Sequence, residues 1–124
     1  MEQYKLGEQE MRFAQLLWNN APIDSSNLVK LAAETMNWKK STTYTMLRRL
    51  CTRGIFKHEN AAITVLMNRD EFYAGQSRKY VEDTFDGSLP RFITSFIGGR
   101  GLSGKQADEL IRLINEHKEG RGNG

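Results

Sequence analysis

Apolar positions recur along most of this chain at three- and four-residue spacing, and the runs are interrupted by capping residues, prolines and glycines rather than by long polar loops. From Glu8 to about Asn19 the apolar side is broad, carrying Phe13, Ala14, Leu16, Leu17 and Trp18, and predicts a first helix that begins after Gly7. Asn19-Asn20-Ala21-Pro22 ends it, because two turn-forming asparagines and a proline cannot continue the pattern. Asp24 then offers a side chain suited to an N-cap, and Leu28, Val29, Leu31 and Ala32 behind it predict a second helix to about Met36. Thr43, Met46, Leu47 and Leu50 fall at i, i+3, i+4 and i+7, which predicts a third helix from about Lys40 to Arg53, stopped by Gly54 at its C′ position.

After Gly54 the period changes. Ile55-Phe56-Lys57-His58 and Ala62-Ile63-Thr64-Val65-Leu66-Met67 are rich in β-branched and apolar residues, and Glu59-Asn60-Ala61 between them predicts a small β-hairpin. Three helices followed by a hairpin describe a winged helix-turn-helix, in which the third helix enters the DNA major groove and the hairpin lies near the backbone. The helical period returns beyond Asn68. Asp70 is the expected cap of a helix to about Phe85, with Tyr73, Tyr80, Val81, Thr84 and Phe85 on one side, and Asp86-Gly87 breaks it. Ser88 caps a short helix that tolerates Pro90 in its first turn and ends at Gly98-Gly99. A last helix opens with Ser103-Gly104-Lys105-Gln106, a capping-box sequence with Leu102 as staple residue.

The expected architecture is therefore mainly α with a small β-hairpin: a winged-helix domain over residues 1–68, a helical region over 69–119, and a Gly-rich tail at 120–124. The short helices carry strong apolar stripes, Leu89, Phe92, Ile93, Phe96 and Ile97 on one and Ala107, Leu110, Ile111 and Ile114 on the other. Two small helices offer too little mutual area for independent stability. Of these residues Leu89, Phe92, Ile93, Phe96, Ile97, Leu110, Ile111 and Ile114 are expected to meet the same helices of a second chain, giving the two-fold symmetry that a DNA-binding dimer needs.

Charge sharpens this picture. The net charge is only +3, yet Thr35 to His58 holds six bases (Lys39, Lys40, Arg48, Arg49, Arg53, Lys57) and no acid, while Met1 to Glu34 has five acids against three bases. From Asn68 onward nine bases balance nine acids, so the surplus lies in one window. With Thr43, Met46, Leu47 and Leu50 turned inward, the third helix displays Ser41, Thr42, Tyr44, Thr45, Arg48 and Arg49, with Lys39 and Lys40 at its start and Lys57 on the hairpin. Hydroxyls can bond phosphates or base edges, arginine can grip guanine with two bonds, and a helix N-terminus favours phosphate oxygens. Double-stranded DNA is the partner these features imply.

The run from Trp38 through Ser41-Thr42-Thr43-Tyr44-Thr45-Met46-Leu47-Arg48-Arg49 to Gly54 resembles the recognition segment of the penicillinase and methicillin-resistance repressor family, which also includes the copper-responsive repressors. Gly7-Glu8-Gln9-Glu10, Leu17-Trp18, Asp86-Gly87-Ser88 and Leu102-Ser103 before Glu109-Leu110 fall in the order of the family's other landmarks. The resemblance implies a homodimer that binds a palindromic operator, represses genes such as those of beta-lactam resistance, and is released by a regulatory protease cutting an Asn-Phe bond. The matching bond here is Ser95-Phe96, with serine in place of asparagine. Tyr44 stands where many members have arginine and Thr43 where an aliphatic is usual, and the copper branch's cysteine-rich hook has no counterpart in this sequence.

Other functions find less support. The single cysteine, Cys51, excludes an internal disulfide, and no zinc spacing, glycine-rich phosphate loop or nucleophile elbow is present, so neither an enzyme nor a metal or other cofactor is expected. His58 and His117 are read as ordinary side chains of the wing and the last helix, and Trp18 and Trp38 as packing residues. A redox-responsive regulator would act through Cys51, whose place beside basic residues makes a lowered thiol pKa conceivable. A winged helix used only for protein-protein contact is the other alternative. No segment approaches the roughly 18 apolar residues of a membrane span, and the polar start suggests a cytoplasmic protein without membrane insertion.

Overall fold

In a computed structural model of the chain, residues 3–118 are described; the tail expected at 120–124 lies outside the described residues. Helix α1 spans Glu8–Asn20, with the Gly7 N–H donating to the Glu10 carboxylate at 2.9 Å. The proline that ends α1 passes the chain into a two-residue strand, β1 (Ile23–Asp24), which the sequence pattern did not predict. Asp24 serves two elements at once. Its backbone lies opposite Ala62 in the sheet, while its carboxylate accepts the Asn27 N–H at 2.8 Å and caps α2 (Ser25–Met36), as expected. Asn37 closes α2 with φ of 56°, and α3 follows over Lys40–Thr52.

Gly54, at φ of 78°, turns the chain from α3 into the hairpin β2 (Phe56–Glu59) and β3 (Ala62–Val65). Pairing reaches one residue further than expected on the first arm, to Glu59 opposite Ala62, because the turn uses only Asn60 and Ala61. Both have positive φ, 54° and 61°, the geometry of a two-residue turn whose twist matches the strands. Strand order in the sheet is β1-β3-β2, so the wing is anchored to the α1–α2 connection.

The core gathers Phe13, Ala14 and Leu17 from α1, Leu28 and Ala32 from α2, Met46, Leu47 and Leu50 from α3, and Ile55, Phe56 and Ile63 around the sheet. Both tryptophans pack as expected. Trp38 lies 5.0 Å from Phe13 between ring centres, and Trp18 touches Phe56 and Phe72 while donating its indole N–H to the Met67 carbonyl at 2.9 Å.

Helix α4 (Arg69–Phe85) differs from expectation in two respects. Its cap is Asn68 rather than Asp70: Asn68 Oδ1 accepts the Glu71 N–H and Glu71 Oε1 accepts the Asn68 N–H, each at 2.8 Å, leaving Asp70 in the first turn where the helix dipole favours an acid. The side carrying Tyr73, Tyr80, Val81, Thr84 and Phe85 is also not the one that enters the core. Phe72 is fully buried in the core, and a side chain on Gly75 would occupy the space of the Tyr4 ring, whereas Tyr73 stays 41% exposed. The reason is that α4 serves two surfaces in succession. Its first half packs on the winged helix, where Arg69 donates to Gln15 at 2.7 Å and Asn19 at 2.6 Å and lies over Trp18; its second half packs on α5 through Tyr80 and Phe85.

Helix α5 (Leu89–Ile97) is capped by Ser88, whose hydroxyl accepts the Arg91 N–H at 3.2 Å, and α6 (Gly104–Glu116) by Ser103, which accepts the Gln106 N–H at 3.1 Å. The reciprocal bond of the expected capping box, from Ser103 N–H to the Gln106 side chain, is not formed among the described residues. Neither helix contains a buried residue. No helix among the described residues is long and apolar enough to cross a membrane.

Truncating Phe72 removes the side chain through which α4 enters the core. Phe72→Ala should cost about 3–5 kcal/mol of unfolding free energy, read as a lower midpoint in urea denaturation. A cost under 1 kcal/mol would show that α4 is held by its polar contacts alone.

Candidate nucleic-acid interface

The inner face of α3 is the one its spacing predicts. Met46, Leu47 and Leu50 are buried, and Thr43, 1% exposed, donates its hydroxyl to the Lys39 carbonyl at 3.1 Å. On the opposite side Lys39, Lys40, Ser41, Thr45, Arg48 and Arg49 are exposed, while Thr42 and Tyr44 are half-buried. Lys39 occupies the N-cap position without a side-chain capping bond, and no acid lies in the first turn. The first N–H groups of α3 therefore point outward beside two lysines, an arrangement suited to an anion.

Two of the six bases in the window form ion pairs. Arg53 turns away from the exposed face: its guanidinium donates to the Lys5 carbonyl at 2.7 Å and lies 3.5 Å from Glu10, and its own carbonyl accepts from Gln3. It fastens the N-terminal segment to the end of α3. Lys57 stands on the wing 3.2 Å from Glu59, and because both are well exposed this pair contributes little stability and yields readily to another anion.

Strand alternation sends Lys57 and Glu59 to one face and Phe56 and His58 to the other. Phe56 is buried, and His58, two residues on, reaches over α3 to stack on Tyr44, with ring centres 6.1 Å apart and planes 28° from parallel. His58 thus joins the helix–wing surface, a placement missed when it was read as an ordinary wing histidine; the period-two alternation counted from Phe56 carries the signal. Between helix and wing lies a cleft of about 320 Å³ lined by Tyr44, Leu47, Arg48, Cys51 and His58.

Cys51 does not have the lowered pKa its basic neighbours suggested. Burial pushes its thiol up, only partly opposed by the backbone N–H of His58. The neighbouring arginines project outward or pack elsewhere, and the thiol sits under the hairpin. His117 is separate from this surface, its Nδ1 lying 2.9 Å from the Leu113 carbonyl at the end of α6. Among the described residues no three His, Cys, Asp or Glu side chains are grouped to hold a metal ion.

The second surface is apolar. Leu89, Phe96, Ile111 and Ile114 are exposed, Phe96 at 65%, and Phe92, Ile93, Ile97 and Leu110 are half-buried. Leu113, 43% exposed, joins them although the predicted stripe omitted it; it lies three residues after Leu110 on the same side of the helix. Phe92 links Tyr80, Phe85 and Phe96 in a chain of ring contacts between 5.6 and 6.1 Å. The Ser95-Phe96 bond lies within α5, with both side chains exposed.

Comparison with known proteins agrees with this geometry. A family model described as Penicillinase repressor matches residues 6–116. The chain is also similar to a penicillinase repressor of Bacillus licheniformis, at 25% identity over 118 residues that make up 92% of this chain and 92% of the relative.

The half-buried thiol has a measurable consequence. An acid whose pKa is raised by folding keeps its proton in the folded chain after the unfolded chain has lost it, so its stability contribution is complete below the unfolded value and is lost as pH rises through the folded one. Urea midpoints should therefore fall as pH rises above the ordinary thiol range of about 8.5. Cys51→Ala should flatten that fall, and an identical pH slope in the variant would assign it to other groups.

Proposed function

The chain belongs to the penicillinase repressor family, whose members are transcription regulators and not enzymes, and on that footing we propose that it represses its targets as a homodimer bound to a palindromic operator. The observation that carries this is the exposed face of α3, where lysines, hydroxyls and arginines surround an uncapped, acid-free helix start. In this reading Arg48 and Tyr44 approach base edges, with Ser41, Thr42, Thr45 and Arg49 along the same groove, and Lys39, Lys40 and Lys57 meet phosphates.

The homodimer is supported by the apolar side of α5 and α6, which the described residues cover only in part, leaving Leu89, Phe96, Ile111 and Ile114 exposed. A second copy with the same stripe is self-complementary about a two-fold axis and places two recognition helices on two half-sites. Release follows from the same geometry. A cut at Ser95-Phe96 by a regulatory protease would separate the winged helix from Phe96, Ile97 and all of α6, and each half-site would then be bound without the gain that tethering provides. The relative is by name a repressor of a penicillinase, which supports beta-lactam-resistance genes as the target class and the cytoplasm as the place of action; the genes adjoining this one are the check.

Two sets of variants test these assignments. Lys40→Ala should weaken binding to every duplex and lower the salt slope by about 1, while Arg48→Ala should cost about 1–3 kcal/mol on the operator with relaxed sequence preference. Isotherms at several salt concentrations on operator and random DNA separate the two behaviours. Affinity indifferent to salt would instead identify a protein-protein module.

For assembly, Phe96→Asp places an unpaired charge in the proposed interface and should sediment as a monomer, as should a chain ending at Ser95. Both should lose operator affinity on the order of 100-fold, the tethering gain. Dimers of undiminished affinity would reject the interface and the cleavage switch together.

A further inference from the structure

We propose that His58 is a positioning residue for base recognition: from the wing it holds the Tyr44 ring in one orientation on α3 and so determines which base pairs that face of the helix accepts. The inference rests on the DNA-binding role proposed above and deepens it. The wing is itself well placed to act as a fixed support. Strand β3 is held on both sides, by β2 and by β1, and the residues flanking His58 in the sheet, Phe56 on its own face and Ile63 opposite it, are fully buried. His58 also lines one cleft with Leu47 and Cys51 of α3, so the strand meets the helix beside the stacked ring.

Tyr44 stands between this support and the exposed face. Its ring is half-buried against the core at one edge and stacked on His58, while its hydroxyl has no hydrogen-bond partner among the described residues. A tyrosine on an open helix face samples several rotamers, and each directs the hydroxyl to a different part of a groove. Stacking on His58 selects one of them before DNA arrives, which removes an ordering cost from binding and commits the hydroxyl to one direction. Arg48 lies one turn along the same side of α3 and lines the same cleft, so the fixed ring also limits the directions open to its guanidinium. His58 therefore acts on specificity through Tyr44, and differs in kind from Lys57 beside it, whose charge serves any phosphate.

The test uses the full chain and an operator selected by the wild-type protein from randomised duplexes. Affinities are then measured on that operator and on duplexes with single base-pair changes, at two salt concentrations, for His58→Ala, His58→Gln, His58→Phe, Tyr44→Ala and the double variant Tyr44→Ala/His58→Ala. Loss of the stack in His58→Ala and His58→Gln should reduce discrimination at the base pairs nearest Tyr44 by about 3- to 10-fold, with the salt slope unchanged. His58→Phe keeps a ring on Tyr44 and should restore most of that preference, and in the Tyr44→Ala background the loss of His58 should have no further effect. Equal losses on all duplexes with a lower salt slope would make His58 a phosphate contact and overturn the proposal, as would wild-type discrimination in both His58→Ala and His58→Gln. Failure of the wild-type chain to select any sequence would instead overturn the operator reading, and this proposal with it.

Discussion

The contact of Phe72 with Trp18 is what turns a winged helix and a set of loose amphipathic helices into one molecule. Trp18 is the last large side chain of α1, and its other partner, Phe56, opens the wing. Phe72 enters this aromatic layer from α4, with Tyr4 on its far side at 5.6 Å. The rings of this layer meet at tilts of 45° to 54°, and such pairs resist rotation more than aliphatic chains do, because their quadrupoles favour particular offsets. Around the layer the polar seam of Arg69, Gln15, Asn19 and the Tyr73 hydroxyl supplies direction. The layer sets where α4 leaves the winged helix, and α4 in turn presents Tyr80 and Phe85 to α5.

Electrostatics is sorted by the same framework. A count of bases in the window around α3 treats Arg53 like Arg48, but the fold does not. Arg53 follows the last turn of α3, and there Glu10 and the Lys5 carbonyl draw it inward, leaving its Nε buried without a partner among the described residues. That orphan nitrogen is an energetic cost, offset by the bonds that tie residues 3–5 to the end of α3. Arg48 and Arg49 lie on the exposed side of α3 and keep their charge available to solvent.

The three helices of the winged domain, the Asp24 cap and the inward face of α3 were legible because each repeats over a dozen residues or rests on one strong local bond. Strand β1 was not, since two residues carry no period and pair only because the Pro22 turn delivers them beside β3. The Asn68 cap was overlooked for Asp70, although Glu71 three residues after Asn68 completes the reciprocal pair. Phe72 was missed for a different reason: α4 changes neighbours midway, so no single stripe describes it, and a search for one periodic face favours the half that packs on α5. On the candidate surface the exposed lysines, hydroxyls and arginines of α3 followed from helical phase, whereas His58 acquires its place only when the hairpin is folded back over the helix.

Helix α6 has thirteen residues, a side-chain cap at its start, and no buried side chain on its own chain. A helix of that length in water sits near the midpoint between coil and helix, since propagation barely repays nucleation. Its order is consequently tied to whatever apolar surface covers Ile111, Leu113 and Ile114. Coiling up and being covered become a single thermodynamic event, with one enthalpy and one heat-capacity change shared between them. In the dimer proposed above, folding of this end and association would be one equilibrium, whose position shifts with protein concentration.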